Sequence, residues 1–147
     1  MLRNKQIDKA WAKESMSIEG DHIEDWGCFL VAIANIIEIT PSELNLKFHL
    51  NNVYLGRSSK DHESEIDFSK AYLTLGLKFR RVPKEDFFQY NMENIILHIE
   101  DKNSPSGQHY VNCLRLETAG VQIFDTYDGT KRVISLSEVK GAYALLK

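Results

Sequence analysis

A thiol, an imidazole and a carboxylate follow one another along this chain as Cys28, His109 and Asp125. Those are the three groups that nucleophilic cleavage of an amide requires. Cys28 stands near the start of the apolar run Gly27-Cys28-Phe29-Leu30-Val31-Ala32-Ile33-Ala34-Asn35-Ile36-Ile37. The run reads as a buried helix with the sulfur in its first turn, where unpaired N–H groups and partial positive charge favour thiolate over thiol. His109 begins a strand-like run that continues to Leu116, and Asp125 closes the next, Val121-Gln122-Ile123-Phe124-Asp125. An imidazole titrating near neutrality can take the thiol proton and later give it to a leaving amine. A carboxylate on its second nitrogen would fix the ring and stabilise the imidazolium.

The other cysteine and histidines read differently. Cys113 lies mid-strand between Asn112 and Leu114, where a cysteine is ordinarily a small core hydrophobe. His49 and His62 sit in polar surroundings, His98 is mid-strand, and His22 falls in the acidic stretch before the Cys28 helix. His109 and Asp125 are sixteen residues apart, an even number, so both can face one side of an antiparallel pair. Direct pairing of the two would centre the hairpin on Glu117, whereas Ala119-Gly120 looks like the turn. A bulge or a longer loop between the strands is therefore expected.

The elements that must position these groups are legible in outline. Residues 4–15 have helical character but few apolar positions, which predicts a peripheral surface segment within residues 1–20. Ser17 to Trp26 reads as an acid-rich loop that enters the Cys28 helix through Gly27. Thr40, Pro41 and Glu43 form an N-cap, a first-turn proline and a capping box, opening a helix of about ten residues. Asn51 to Glu63 is polar and irregular, a candidate mobile loop, and Ile66 to Leu75 is a further helix stopped by Gly76. The apolar period then changes from near 3.6 to near 2. Strands are expected at 77–82, 94–100, 109–117, 121–127, 131–135 and 142–146, with a loop over 101–108. Helices first and an antiparallel sheet second make an α+β domain spanning residues 1–147.

Size and composition suit that reading. A chain of 147 residues buries roughly 70% of its unfolded surface as one domain. The net charge of −3 gives no reason to expect nucleic acid as a partner. No stretch approaches the roughly 20 apolar residues of a membrane span, and the N-terminus has no apolar segment of the kind that marks a secretory signal. Two cysteines in this setting predict free thiols in a reducing, cytoplasmic compartment, with release by lysis or packaging in a phage particle as the routes outward. Asp21-His22-Ile23-Glu24-Asp25 with Cys28 matches no zinc or calcium spacing, and no phosphate-cradling glycine loop is present. No metal or cofactor is expected.

The segment Asp25-Trp26-Gly27-Cys28-Phe29-Leu30-Val31-Ala32-Ile33-Ala34-Asn35, followed by Thr40-Pro41-Ser42-Glu43-Leu44-Asn45, resembles papain-like cysteine peptidases. The nearest branch is the one related to bacterial double-glycine leader peptidases, with its small stand-alone bacterial and phage members. Gln108-His109-Tyr110-Val111-Asn112-Cys113 and Phe124-Asp125-Thr126-Tyr127-Asp128-Gly129 are similar to that branch's histidine and acid strands. The resemblance covers about residues 20 to 147. It implies a papain-like fold in which Cys28 is the nucleophile, His109 the base and Asp125 the orienting acid.

One position departs from the family. The glutamine that usually lies six residues before the cysteine, and donates to the oxyanion, is His22 here. An imidazole N–H can donate in its place beside the Cys28 N–H, which makes His22 the candidate oxyanion residue. The expectation is a hydrolase that cuts a peptide, protein or peptidoglycan-peptide bond through a thioester. The alternative, motivated by His22 and by the hairpin register, is a catalytically degenerate relative serving as a binding or virion-structural module. An acyl or amine transferase using the same triad is a third reading.

Overall fold

The structure, a computed structural model, describes residues 1–16, 21–55, 66–101 and 108–147. It is a mixed α+β architecture. Among the described residues there are four α-helices, α1 (Ile23–Trp26), α2 (Cys28–Ile37), α3 (Pro41–Leu50) and α4 (Phe68–Leu75). Six strands follow: β1 (Lys78–Val82), β2 (Ile95–Glu100), β3 (Gln108–Glu117), β4 (Gly120–Phe124), β5 (Lys131–Ile134) and β6 (Val139–Leu146). They form one antiparallel sheet in the order β1-β6-β2-β3-β4-β5. No single helix among the described residues is long and apolar enough to cross a membrane.

Both faces of the sheet are apolar because both are covered, and alternate residues of one strand therefore enter different cores. Ile96, Tyr110, Tyr143 and Leu145 pack with the residues of α2. Ile95, Leu97, Ile99, Val111, Cys113, Val121 and Ile123 form the second core with Phe87, Tyr90 and Met92 from the connection between β1 and β2, which carries two short 3-10 turns. Every residue of α2 from Cys28 to Asn35 is buried, which is why the helix is hydrophobic all round rather than striped. Phe29 anchors it to the sheet, its ring edge-on to Tyr110 at 4.7 Å and to Tyr143 at 5.4 Å.

Local signals set the ends of the helices. Thr40 Oγ1 accepts the Glu43 N–H at 3.1 Å and Pro41 fills the first turn of α3. Only the Thr40 half of the expected capping box is among the described hydrogen bonds. A complete box forms instead at Ser135 and Glu138, and the tight turn it makes lets β6 begin at Val139 rather than near residue 142. α4 starts at Phe68, one residue after its Asp67 cap, and ends where Gly76 takes the left-handed conformation (φ 71°). Ala71 is its buried residue, Phe68 and Leu75 pack against the helical core, and Tyr72 is exposed.

Two expectations need correction. Residues 4–15 form turns rather than a helix, and the segment is not superficial: Trp11 and Met16 belong to the helical core. The stretch before Cys28 contains the helical turn α1 in place of a continuous loop, with residues 17–20 outside the described residues. Of the polar loop at 51–63, residues 56–63 lie outside the described residues, as do 102–107 of the loop before His109, while Tyr54 bridges to Ile66.

Candidate active site

Gly27 places the sulfur. It joins α1 to α2, and a Cβ at this position would lie 2.6 Å from the Ile23 carbonyl oxygen and 2.9 Å from its Cα. Only a residue without a side chain lets α1 pack this tightly against the start of α2. Cys28 is then the first residue of a ten-residue helix, where the N–H groups of the first turn have no intrahelical acceptor. It is buried, at 1% exposure.

His109 comes from the opposite layer, at the start of β3. Its Nε2 donates to Asp125 Oδ1 at 2.6 Å, and its ring is also hydrogen-bonded to Cys28. Nε2 being engaged by the carboxylate, Nδ1 is the nitrogen left for the sulfur. Both members of the histidine–carboxylate pair are almost wholly out of solvent. Burial alone would push the imidazole pKa down. The hydrogen bonds to Asp125 and Cys28, with the negative charges on both, outweigh it and hold the ring up at about 10. Burial would likewise push the Asp125 carboxyl up, yet His109, the Tyr127 N–H and Arg132 bring it down to about 2. The imidazole is thus favoured as the charged imidazolium beside the Asp125 carboxylate.

The hairpin carries the expected bulge, and its position explains the geometry. Glu117 pairs with Gly120 and Arg115 with Gln122, but then Cys113 pairs with Ile123 and Asn112 with Phe124, so Leu114 is the extra residue. Continuing that register sets residue 110 across from residue 126, and Thr126 Oγ1 donates to the Tyr110 carbonyl at 2.7 Å. Asp125 is therefore not directly opposite His109 but reaches it diagonally from just beyond the end of β4. Its backbone is held there by a closed turn, Asp125 N–H to Thr130 O at 2.8 Å and Gly129 N–H to Asp125 O at 2.9 Å.

Three further groups brace this site that the sequence did not single out. Tyr127 N–H donates to Asp125 Oδ1 at 2.9 Å, and Arg132 Nη1 donates to Asp125 Oδ2 at 2.8 Å. Gln6, buried at 3% exposure, donates its backbone N–H to Thr126 O and its Nε2 to Glu24 O, tying the acid turn to α1. The Arg132 contact had one available signal, since a hairpin turning at Asp128-Gly129 brings residues 131 and 132 back beside 125. Deeper in the fold, Asn35 Nδ2 donates to Asn112 Oδ1 at 2.8 Å, and Asn112 Nδ2 to the Ala32 carbonyl at 3.0 Å. These amides join the helix of Cys28 to the strand of His109.

His22 is the N-cap of α1, half-buried, with its carbonyl accepting the Asp25 and Trp26 N–H groups. A ring nitrogen of His22 and carboxylate oxygens of Glu24 and Asp25 lie within 4.8 Å of one another, so its immediate setting is acidic. Cys113 is buried against Met92, its sulfur 3.5 Å from the Met92 sulfur, and burial pushes its thiol up to about 12. Both cysteines are free of disulfides. Comparison with known proteins adds no assignment: no family model matches this chain, and no curated protein matches it significantly.

Proposed function

We propose that this protein is a papain-like cysteine hydrolase that cleaves a peptide or related amide bond. The observation that carries the reading is the linkage of Cys28, at the first residue of a buried helix, to an imidazole whose other nitrogen is held by a buried carboxylate. Cys28 attacks the carbonyl as a thiolate. The developing oxyanion is met by the Cys28 N–H, with His22 as the second donor. His109 protonates the leaving amine, and water activated by the same imidazole then hydrolyses the thioester. A peptide, a protein or a peptidoglycan peptide fits this chemistry, and free thiols suit a reducing compartment.

A second reading has its own support. Cys28 is only 1% exposed, and His22 replaces a donor whose loss typically costs about 10²–10³ in turnover. Both favour a degenerate module that binds without cutting. The two readings separate on a peptide library incubated near pH 7 and analysed by mass spectrometry. The hydrolase produces cleavages that are lost in Cys28→Ala and in His109→Ala. A wild-type protein that leaves every library member intact, or that cuts equally well without Cys28, contradicts the proposal. Amide products appearing on addition of free amines would identify a transferase instead.

A further inference from the structure

Asp125 has two carboxylate oxygens, and each is held by a different cation. Oδ1 accepts from His109 at 2.6 Å and from the Tyr127 N–H at 2.9 Å, whereas Oδ2 accepts from Arg132 at 2.8 Å. Arg132 projects from the edge strand β5, where it pairs with Ile123, and about half of its side chain remains in solvent. A carboxylate with one oxygen unheld can swing about its last bond. Pinned at both oxygens, its plane is fixed and Oδ1 is directed at the imidazole. We propose that Arg132 is a positioning residue, a fourth member of the chain Cys28–His109–Asp125–Arg132, which locks the acid so that its inner oxygen serves the histidine. The inference rests on the hydrolase reading of the same site.

Two effects of Arg132 on His109 have opposite sign, which makes the role testable. As a charge, the guanidinium opposes an imidazolium on the far side of the carboxylate, so its removal by electrostatics alone would strengthen proton binding at His109. As a brace, it secures the hydrogen bond that holds the proton, so its removal weakens binding. The other charged groups around the acid turn are Lys131 beside Phe124, Asp128 at the tip, and Lys5, whose stem lies against Gly129. All of them are unchanged by a substitution at position 132. The half-exposed guanidinium is also screened by water, which leaves the bracing effect dominant.

The test is an NMR titration of the His109 ring in wild type, Arg132→Met and Arg132→Lys, each first shown to unfold cooperatively. In Arg132→Met the midpoint of proton release should fall by about half a unit or more, roughly a threefold loss of proton affinity. Arg132→Lys, which keeps a donor and a charge, should recover most of the shift. Should Arg132→Met fail to fold, Arg132→Gln carries the same comparison. A midpoint that is unchanged or higher in the Met or Gln variant overturns the proposal. A wild-type His109 that titrates near its ordinary value of about 6.5 removes the ion pair itself, and the hydrolase reading then falls together with the role of Arg132.

Discussion

Replacing Asp125 by Asn removes one charge from the buried pair while keeping an oxygen able to accept the His109 N–H. The carboxylate is 7% exposed and lies 2.6 Å from His109 and 2.8 Å from Arg132. Arg132 is close to half exposed, so water resolvates it and little is lost there. The imidazolium, by contrast, loses a buried counter-charge. A hydrogen bond between charged partners contributes about 1.5–3 kcal/mol net, and a neutral acceptor recovers part of that, so the loss should be about 2 kcal/mol. It does not grow toward the larger penalty of a stranded buried charge, because the imidazolium releases its proton instead. The pH dependence follows from the shifts. His109, raised from 6.5 to about 10, contributes stability that is complete below 6.5 and fades as pH climbs toward 10. Asp125, lowered from 3.8 to about 2, contributes stability that is present above 3.8 and is lost as pH falls toward 2. Wild type and Asp125→Asn should therefore differ most between about pH 4 and 6.5, by some 4–8 °C in Tm, and converge by about pH 10. Thermal melts followed by circular dichroism across that range measure it. A difference that is constant with pH, or largest at alkaline pH, would refute the ion-pair description.

Other substitutions probe the scaffold. Gly27→Ala forces a Cβ into the Ile23 backbone and should destabilise by about 1–3 kcal/mol, with peptide cleavage falling about 10²-fold because the sulfur moves; melts and kcat/KM are the readouts. Asn112→Leu strips one acceptor from the Asn35 amide, which keeps its bond to the Asn4 carbonyl, and the side-chain donor from the Ala32 carbonyl, at about 1–3 kcal/mol in all. The double variant Asn35→Leu/Asn112→Leu should cost less than the sum of the two singles in urea unfolding. Cys113→Ala removes only a sulfur packed against Met92, so it should cost about 1 kcal/mol and leave peptide cleavage unchanged.

Much of the site could be read before the fold was known, for identifiable reasons. The helix at Cys28 is announced by an unbroken apolar run after a glycine, and the strands of His109 and Asp125 by period-two alternation around turn residues. A bulge was expected from the mismatch between the triad spacing and the turn, and one falls at Leu114, but the turn is Thr118-Ala119 and Asp125 meets His109 diagonally rather than by direct pairing. The long-range pairings were not legible. β6, last in the chain, inserts between β1 and β2, a choice governed by packing on both faces rather than by any local signal. Trp11 and Met16 have no apolar period around them, so their place in the core comes from tertiary contacts alone. Arg132 and the Asn35–Asn112 bridge escaped notice because a polar residue in a strand or helix looks the same whether it meets water or a buried partner.

Acid-side alkylation of the two thiols bears most directly on the nucleophile. Cys28 and Cys113 are equally buried, at 1% and 0% exposure, so a difference in their rates reports ionisation rather than access. Treated with iodoacetamide at pH 6 and mapped by peptide mass spectrometry, Cys28 should label many times faster than Cys113, and His109→Ala should abolish the advantage. Equal, slow labelling of both sulfurs at pH 6 would contradict a thiolate at Cys28.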